Sequence, residues 1–251
     1  TQGYSSAASD VYKRQAPMAP AEFLQASPWL NLVLTPDALR YPRRRPLDPH
    51  TFAYIGGAVR NEAPYDLPFF PKHNDKPLIY VGFGSLGAAD TDLFKRLIET
   101  FATAPYRVLM SVGPYKDSYE NVPDNIHLEY WYPQPSVIPQ VDLFIHHGGN
   151  NSLNEALTFG KPSLVMPYCW DGHDNAQRAE ELGLGARLPR YDWKGPDLLA
   201  SVRKLLGDAA LKKRLRQLSA ELRAVNNRKR AAELIIAIAT SGTLAPRRTA
   251  R

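Results

Sequence analysis

Disulfides are the first thing the sequence rules out. The 251-residue chain holds one cysteine, Cys169, so no internal bridge can form, and the chain fits a reducing, cytoplasmic compartment. No base is identifiable around that thiol, which reads as buried filler and not as a nucleophile. Long apolar runs are missing too. The longest near the end, Leu234 to Ala239, is far too short to span a bilayer, and no signal peptide is visible. There is no recognition motif or basic-aromatic interleaving of the kind nucleic-acid binders carry. There is no Asp-x-Asp pair or His/carboxylate cluster placed to hold a metal. Internal repeats and low-complexity tracts are absent as well.

What remains is an ordinary globular composition. Hydrophobic residues make up 44% and charged residues 22%, enough for one large domain or one and a half smaller ones. The net charge of +6 gathers in two clusters. Arg40, Arg43, Arg44 and Arg45 form one; Arg228, Lys229, Arg230, Arg247, Arg248 and Arg251 form the other. These read as solvated faces and a tail, compatible with an anionic small ligand but not evidence for one.

Residues 1–15 are polar and without periodicity, and "SDVYKRQ" within them looks like read-through of a sequencing adaptor. They are expected to be a non-native leader, which would make the chain a fragment of a protein that begins further upstream. Residues 16–59 hold two short strands, Leu30 to Leu34 and the stretch "TFAYIGG", around a Pro/Arg-rich loop. Residues 60–76 contain three prolines and read as an interdomain linker. Residues 242–251 form a basic tail.

From residue 77 to 241 strands and helices alternate. Expected strands are Leu78–Phe83, Arg107–Val112, Ile126–Glu129, Val141–Ile145, Ser163–Met166 and "GARLP". Expected helices are Asp90–Ala102, Asn151–Phe159, Asp174–Leu182, Pro196–Leu206, Ala209–Ala224 and Arg230–Thr240. In the first of these, Leu93, Phe94, Leu97, Ile98 and Phe101 fall on one helical stripe behind a capping Asp90. Strand-helix alternation with short connections implies an α/β fold, a Rossmann-like parallel sheet with helices on both faces. Ligands of such sheets bind beyond the carboxyl ends of the strands.

Two glycine-bearing turns lie at those ends. Gly82-Phe-Gly84-Ser-Leu-Gly87 fits the dinucleotide pattern G-x-G-x-x-G. Its second requirement, an acidic residue closing the next strand about 20 positions on, is unmet, because no Asp or Glu ends "YRVLMSVG". The turn offers backbone N–H groups near Ser85 for one phosphate oxygen; a tight turn with no ligand explains the glycines equally. The second turn, "IHHGGNNSLNEALTFGKP", ends a strand on His and opens a helix on Asn and Ser. Helix N-termini favour anions, and a phosphate beside His147 would favour its protonated form. Ser152 and Glu155 also have the spacing of a capping box, so on these residues alone capping and phosphate binding both stand.

Taken in order, Trp131-Tyr-Pro-Gln134, His147-Gly-Gly-Asn-Asn-Ser152, Glu155, Gly160, Pro162, Pro167 and Asp171 resemble the nucleotide-sugar signature of family 1 glycosyltransferases. That group includes the UDP-glycosyltransferases and the macrolide glycosyltransferases. The resemblance covers roughly Leu78 to Pro189, and it implies the GT-B fold, of which this chain would be the C-terminal donor-binding half with the last strands of the N-terminal half. It implies that Trp131 stacks on the base, that the Tyr132 backbone meets the base edge, and that Gln134 and Glu155 meet the ribose. His147, the Gly149 amide, Asn151, Ser152 and Ser85 would meet the diphosphate, and Asp171 the sugar. The family's closing Asp-Gln pair is Asp171-Gly172 here, which leaves the identity of the sugar open; His173 reads as a bystander. No partner is assigned to His73 or His127.

The implied chemistry is inverting hexosyl transfer from a nucleotide-sugar, a UDP-sugar above all, to a small-molecule hydroxyl. No cofactor and no metal are required, since the helix terminus and His147 would meet the charge on the leaving diphosphate. The general base, a His held by an Asp, would lie in the N-terminal half, so the fragment alone would be inactive. One alternative is a donor-binding subunit of a two-chain glycosyltransferase; a sugar epimerase on the same fold ranks lower.

Overall fold

Five consecutive buried residues, Leu78–Gly82, form β3 at the centre of the sheet in this computed structural model, which describes residues 26–241. The expected leader, the first ten residues of segment 16–59 and the basic tail lie outside the described residues. Before β3 come two short strands, β1 (Asn31–Val33) and β2 (Phe52–Tyr54), which pair in parallel. After β3 come α1 (Gly84–Gly87), α2 (Thr91–Phe101), β4 (Arg107–Ser111) and β5 (Ile126–Glu129). Next are α3 (Gln134–Val137), β6 (Leu143–His146), α4 (Asn150–Thr158) and β7 (Ser163–Val165). The chain closes with α5 (Gly172–Glu181), β8 (Gly185–Arg187), α6 (Gly195–Gly207), α7 (Ala209–Arg223) and α8 (Asn227–Ser241).

The six-stranded sheet runs β5-β4-β3-β6-β7-β8, parallel throughout. Side chains alternate across a strand, and the two sets go to two cores. Ile79, Val81, Val108, Met110, Leu143, Ile145 and Leu164 join Leu93, Phe94 and Leu97 of α2 and the apolar stripes of α6 and α7. Leu78, Tyr80, Leu109 and Phe144 pack with Tyr132, Val137 and Ile138 on the other face. Helix α2 forms where its stripe requires, and Asp90 caps it by accepting from the Leu93 amide at 3.2 Å. The stripe buries Leu93, Phe94, Leu97 and Phe101, each stabilising by about 1.5–3 kcal/mol. Truncating Phe94 to Ala would leave a cavity costing about 3–5 kcal/mol.

Segment 26–59 docks along this domain. The Leu34 carbonyl accepts from the side-chain amides of Asn150 and Asn154, each at 3.1 Å. Arg178 donates to the carbonyls of Leu39 and Arg40, and Asn227 donates to the Gly57 carbonyl at 2.8 Å. Among the described residues no helix is long and apolar enough to cross a membrane.

Strand order reverses between β3 and β6. That is the topological switch point where open α/β sheets place their ligands, and it brings Gly82 opposite His146 in register.

Candidate functional site

The loops after β3 and β6 meet through one imidazole. Gly84 has φ +71°, and a Cβ there would stand 3.1 Å from His147 Cε1; a Cβ on Gly149 would collide with His147 Nε2. Glycine at these positions lets the His147 ring sit between the two loops, which explains the glycine pattern without a dinucleotide. Burial pushes the His147 pKa below its ordinary value, against the pull of the Asp171 carboxylate. The ring is therefore a neutral hydrogen-bonding group here; the protonated form was expected only beside a phosphate.

Helix α4 begins two residues before the expected cap. Its N-cap is Gly149, with no side-chain cap from its own sequence, so the capping box expected of Ser152 and Glu155 does not form. The reason is tertiary: Asp171 Oδ2, from the loop after β7, accepts the Asn150 amide at 2.9 Å. With the cap supplied from elsewhere, Ser152 is freed to accept from Gln134 Nε2 at 3.3 Å. The same Gln134 nitrogen donates to Glu155 Oε2. Glu155 is only 5% exposed; burial pushes its carboxyl above the usual range, and the Gln134 hydrogen bond offsets part of that push. The amides of Asn151 and Ser152 precede the first helical bond, Leu153 N to Gly149 O at 3.1 Å, and so belong to the unpaired first turn.

Trp131 is 63% exposed and does not join the core. It lines an open cleft of ≈ 390 Å³ together with Gln134, His147, Asn151, Ser152 and Glu155. It also lines a second hollow of ≈ 300 Å³, together with Tyr80, Ser85, Ser111 and Tyr132. Tyr132 itself is fully buried, its hydroxyl 2.7 Å from His127 Nδ1. His73, to which the sequence likewise assigned no partner, sits 3.0 Å from an Asp124 oxygen. Cys169 is half-buried, more open than a filler residue would be. Ser85 lies exposed in α1, a short turn of helix within the first glycine-bearing turn.

Asp171 is placed by its own helix and its neighbours. Its Oδ2 also accepts from Asn175 Nδ2 at 3.0 Å, and that nitrogen donates to the Gly148 carbonyl at 2.8 Å. The backbones of Gly148 and Gly172 pass so closely that a Cβ on Gly172 would lie 2.6 Å from the His147 carbonyl oxygen. A glutamine cannot take that position without backbone movement.

Three residues of this region gave no sequence signal. Arg190 is 4% exposed. Its guanidinium pairs with Asp90 at 3.2 Å, donates to the Gly87 carbonyl and lies over the rings of Phe83 and Tyr168. It thereby joins the turn after β3 to the loop after β7. Arg60, placed by the sequence in the linker, lines the cleft. Trp170 is solvent-facing, with φ +48°, in the loop that carries Asp171. Among the described residues no three His, Cys, Asp or Glu side chains gather to hold a metal.

The model of the family described as "Erythromycin biosynthesis protein CIII-like, C-terminal domain" matches residues 108–238. NDP-glycosyltransferase YjiC of Bacillus subtilis is 29% identical over 222 residues, 88% of this chain and 56% of the relative. Oleandomycin glycosyltransferase of Streptomyces antibioticus is 26% identical over 208 residues, 82% of this chain and 48% of the relative. Among solved structures, the glycosyltransferase of kitacinnamycin matches with TM-score 0.72 and 30% identity, over 81% of this chain and 53% of that one. The chain thus spans about half the length of the relatives it matches. It belongs to the family 1 glycosyltransferases of GT-B fold, as a C-terminal half with the erythromycin biosynthesis protein CIII-like domain.

Proposed function

We propose that this chain is the donor-binding half of an inverting glycosyltransferase that takes a UDP-sugar and serves hexosyl transfer to a hydroxyl of a small molecule. The observation that carries the reading is the cleft at the switch point. The exposed Trp131 indole, the Gln134–Glu155 pair and the first turn of α4 line one space. A flat aromatic face suits a pyrimidine. A carboxylate held by an amide suits the two vicinal hydroxyls of a ribose. The unpaired amides of Asn151 and Ser152 suit a diphosphate, with His147, Gly149 and Ser85 beside them. In this reading Asp171, whose Oδ2 accepts the Asn150 amide, accepts from a sugar hydroxyl with its other oxygen.

In this reading an acceptor hydroxyl attacks the anomeric carbon, the bond to the diphosphate breaks, and UDP leaves carrying the negative charge. The amides of α4 and the His147 ring stabilise that charge as fixed dipoles, a contribution on the order of 3 kcal/mol per donor. The base that takes the acceptor proton comes from the N-terminal half, and so do the acceptor contacts. The names of relatives support a small-molecule acceptor: oleandomycin for one, ecdysteroid for another. Two neighbours of the same fold, VinC and a spinosyn rhamnosyltransferase, are described as complexes with thymidine diphosphate, so TDP is the competing nucleotide. Glu155 favours the ribose form, because a deoxyribose lacks one of the hydroxyls it can accept from.

Titrating the chain with UDP, TDP and uridine, followed by Trp fluorescence, tests the proposal. UDP should bind more tightly than TDP, and Trp131→Ala should weaken all three ligands by about tenfold or more. Equal binding by the wild type and the Trp131→Ala and His147→Ala variants would refute it.

A further inference from the structure

We propose that Arg60 is a diphosphate-binding residue of the donor cleft, its guanidinium gripping the phosphate oxygens beside the first turn of α4. The inference rests on the nucleotide-sugar reading above and adds to it a residue that lies outside the signature from Trp131 to Asp171.

Arg60 belongs to the irregular stretch between β2 and β3, more than seventy positions before that signature. The fold nevertheless returns it to the cleft, where it shares the lining with His147, Gly149, Asn151 and Ser152. It also borders the small adjoining hollow lined by Leu34, Val59 and Asn150, so it stands where two openings meet.

Charge makes the case. Glu155 lines the cleft and Asp171 caps the helix beside it, and both carry or can carry negative charge. Against them the end of α4 offers only a partial positive charge of about half a unit, and His147 is kept neutral by burial. Without Arg60 the cleft would offer a nucleoside diphosphate no full positive charge. Among the described residues lining the cleft, Arg60 carries the one permanent positive charge.

Its geometry suits the task. Arg60 Nε donates to Glu62 Oε1, and the Glu62 side chain is largely buried. That bond fixes the plane of the guanidinium while leaving both terminal nitrogens without a partner among the described residues. A planar fork with two free N–H faces is the arrangement that binds phosphate oxygens in pairs. The pair with Glu62 alone does not explain the residue, since a surface ion pair with an arginine this exposed adds little stability.

The experiment is calorimetric titration of the wild type, Arg60→Gln and Arg60→Lys with UDP and, separately, with uridine, at two salt concentrations. In Arg60→Gln, UDP affinity should fall by about tenfold, the scale of one charge-assisted contact. Uridine affinity should stay within twofold, and the salt dependence of UDP binding should flatten. Arg60→Lys should recover part of the loss. Uridine serves as the folding control, because a collapsed cleft would lose both ligands. If the wild type binds UDP and Arg60→Gln binds it equally well, or if UDP and uridine affinities fall together, the role of Arg60 is overturned and the nucleotide reading stands. If the wild type binds neither UDP nor TDP, the nucleotide reading itself fails, and this inference with it.

Discussion

The Asp171 carboxylate caps a helix that begins twenty-one residues earlier: its Oδ2 accepts the Asn150 amide at 2.9 Å. A residue that the family resemblance assigns to the sugar therefore also holds the start of the helix assigned to the diphosphate. Coupling of this kind has a measurable consequence. Asp171→Ala should lower the chain's stability by about 1 kcal/mol, the usual loss for an N-cap, seen as a drop in the denaturant midpoint at unchanged slope. A side chain that served only the sugar would leave that midpoint where it is.

Gly172 occupies the position where the family carries glutamine, and restoring the amide would seem a direct way to test sugar choice. The close approach to the His147 carbonyl makes that exchange structural first. Gly172→Ala and Gly172→Gln should each destabilise by about 1–3 kcal/mol, as overpacking does, and should weaken UDP binding by moving His147. Thermal melts of both variants check this; a Gly172→Gln protein as stable as the wild type would show that the backbone can yield.

His146 is fully buried, and burial holds its pKa down at about 3, with the neighbouring His147 adding to the shift. Its Nδ1 accepts the Gly148 amide at 3.1 Å, which fixes the neutral ring. Unfolding restores the ordinary value of 6.5, so the neutral ring contributes stability that is complete above that pH. The contribution is lost as pH falls from there through about 3. Asn at this position keeps an acceptor near Nδ1 but does not titrate. The stability advantage of the wild type over His146→Asn should therefore shrink between about pH 7 and about pH 4.5, measured by urea unfolding at each pH. A difference that stays constant with pH would contradict the assignment.

Asp90 has two duties, capping α2 through the Leu93 amide and balancing the buried Arg190. Removing it leaves an uncompensated charge beneath the Ser85 turn. Asp90→Ala should cost about 3–5 kcal/mol, the range for a broken buried pair. A capping loss alone would be near 1 kcal/mol. Denaturant unfolding of Asp90→Ala separates the two: a loss near 1 kcal/mol would mean that Arg190 finds another partner or water.

Much of the sheet was legible because buried parallel strands are short, apolar and bounded by turn residues. β5 runs from Ile126 to Glu129 as expected, and β3, β4 and β7 each stop one residue early. Helix α2 was legible because its cap and its stripe are both local. The start of α4 falls within one residue of the expected Asn151, but its cap was misread, for the opposite reason. Ser152 and Glu155 have the spacing of a cap, but a carboxylate brought by the fold from position 171 outcompetes them and moves the boundary to Asn150. Gly84–Gly87, expected as a tight turn between strand and helix, closes as one helical turn packed against His147 and Arg190. Arg60 and Arg190 were invisible as site residues because what matters about them is where tertiary structure puts them. Of the residues the family resemblance assigns to the donor, all but Asp171 appear in the lining of the cleft or of the hollow beside it. Tyr132 contributes to the hollow while its ring stays buried, and Asp171 reaches the cleft through the Asn150 amide.

The most direct test of the account is a crystal structure of the chain soaked with UDP. The account predicts the pyrimidine flat against the Trp131 indole, the ribose hydroxyls on Glu155, and diphosphate oxygens within hydrogen-bonding distance of the Asn151 and Ser152 amides. A UDP molecule bound elsewhere, or one whose diphosphate lies away from the start of α4, would contradict it.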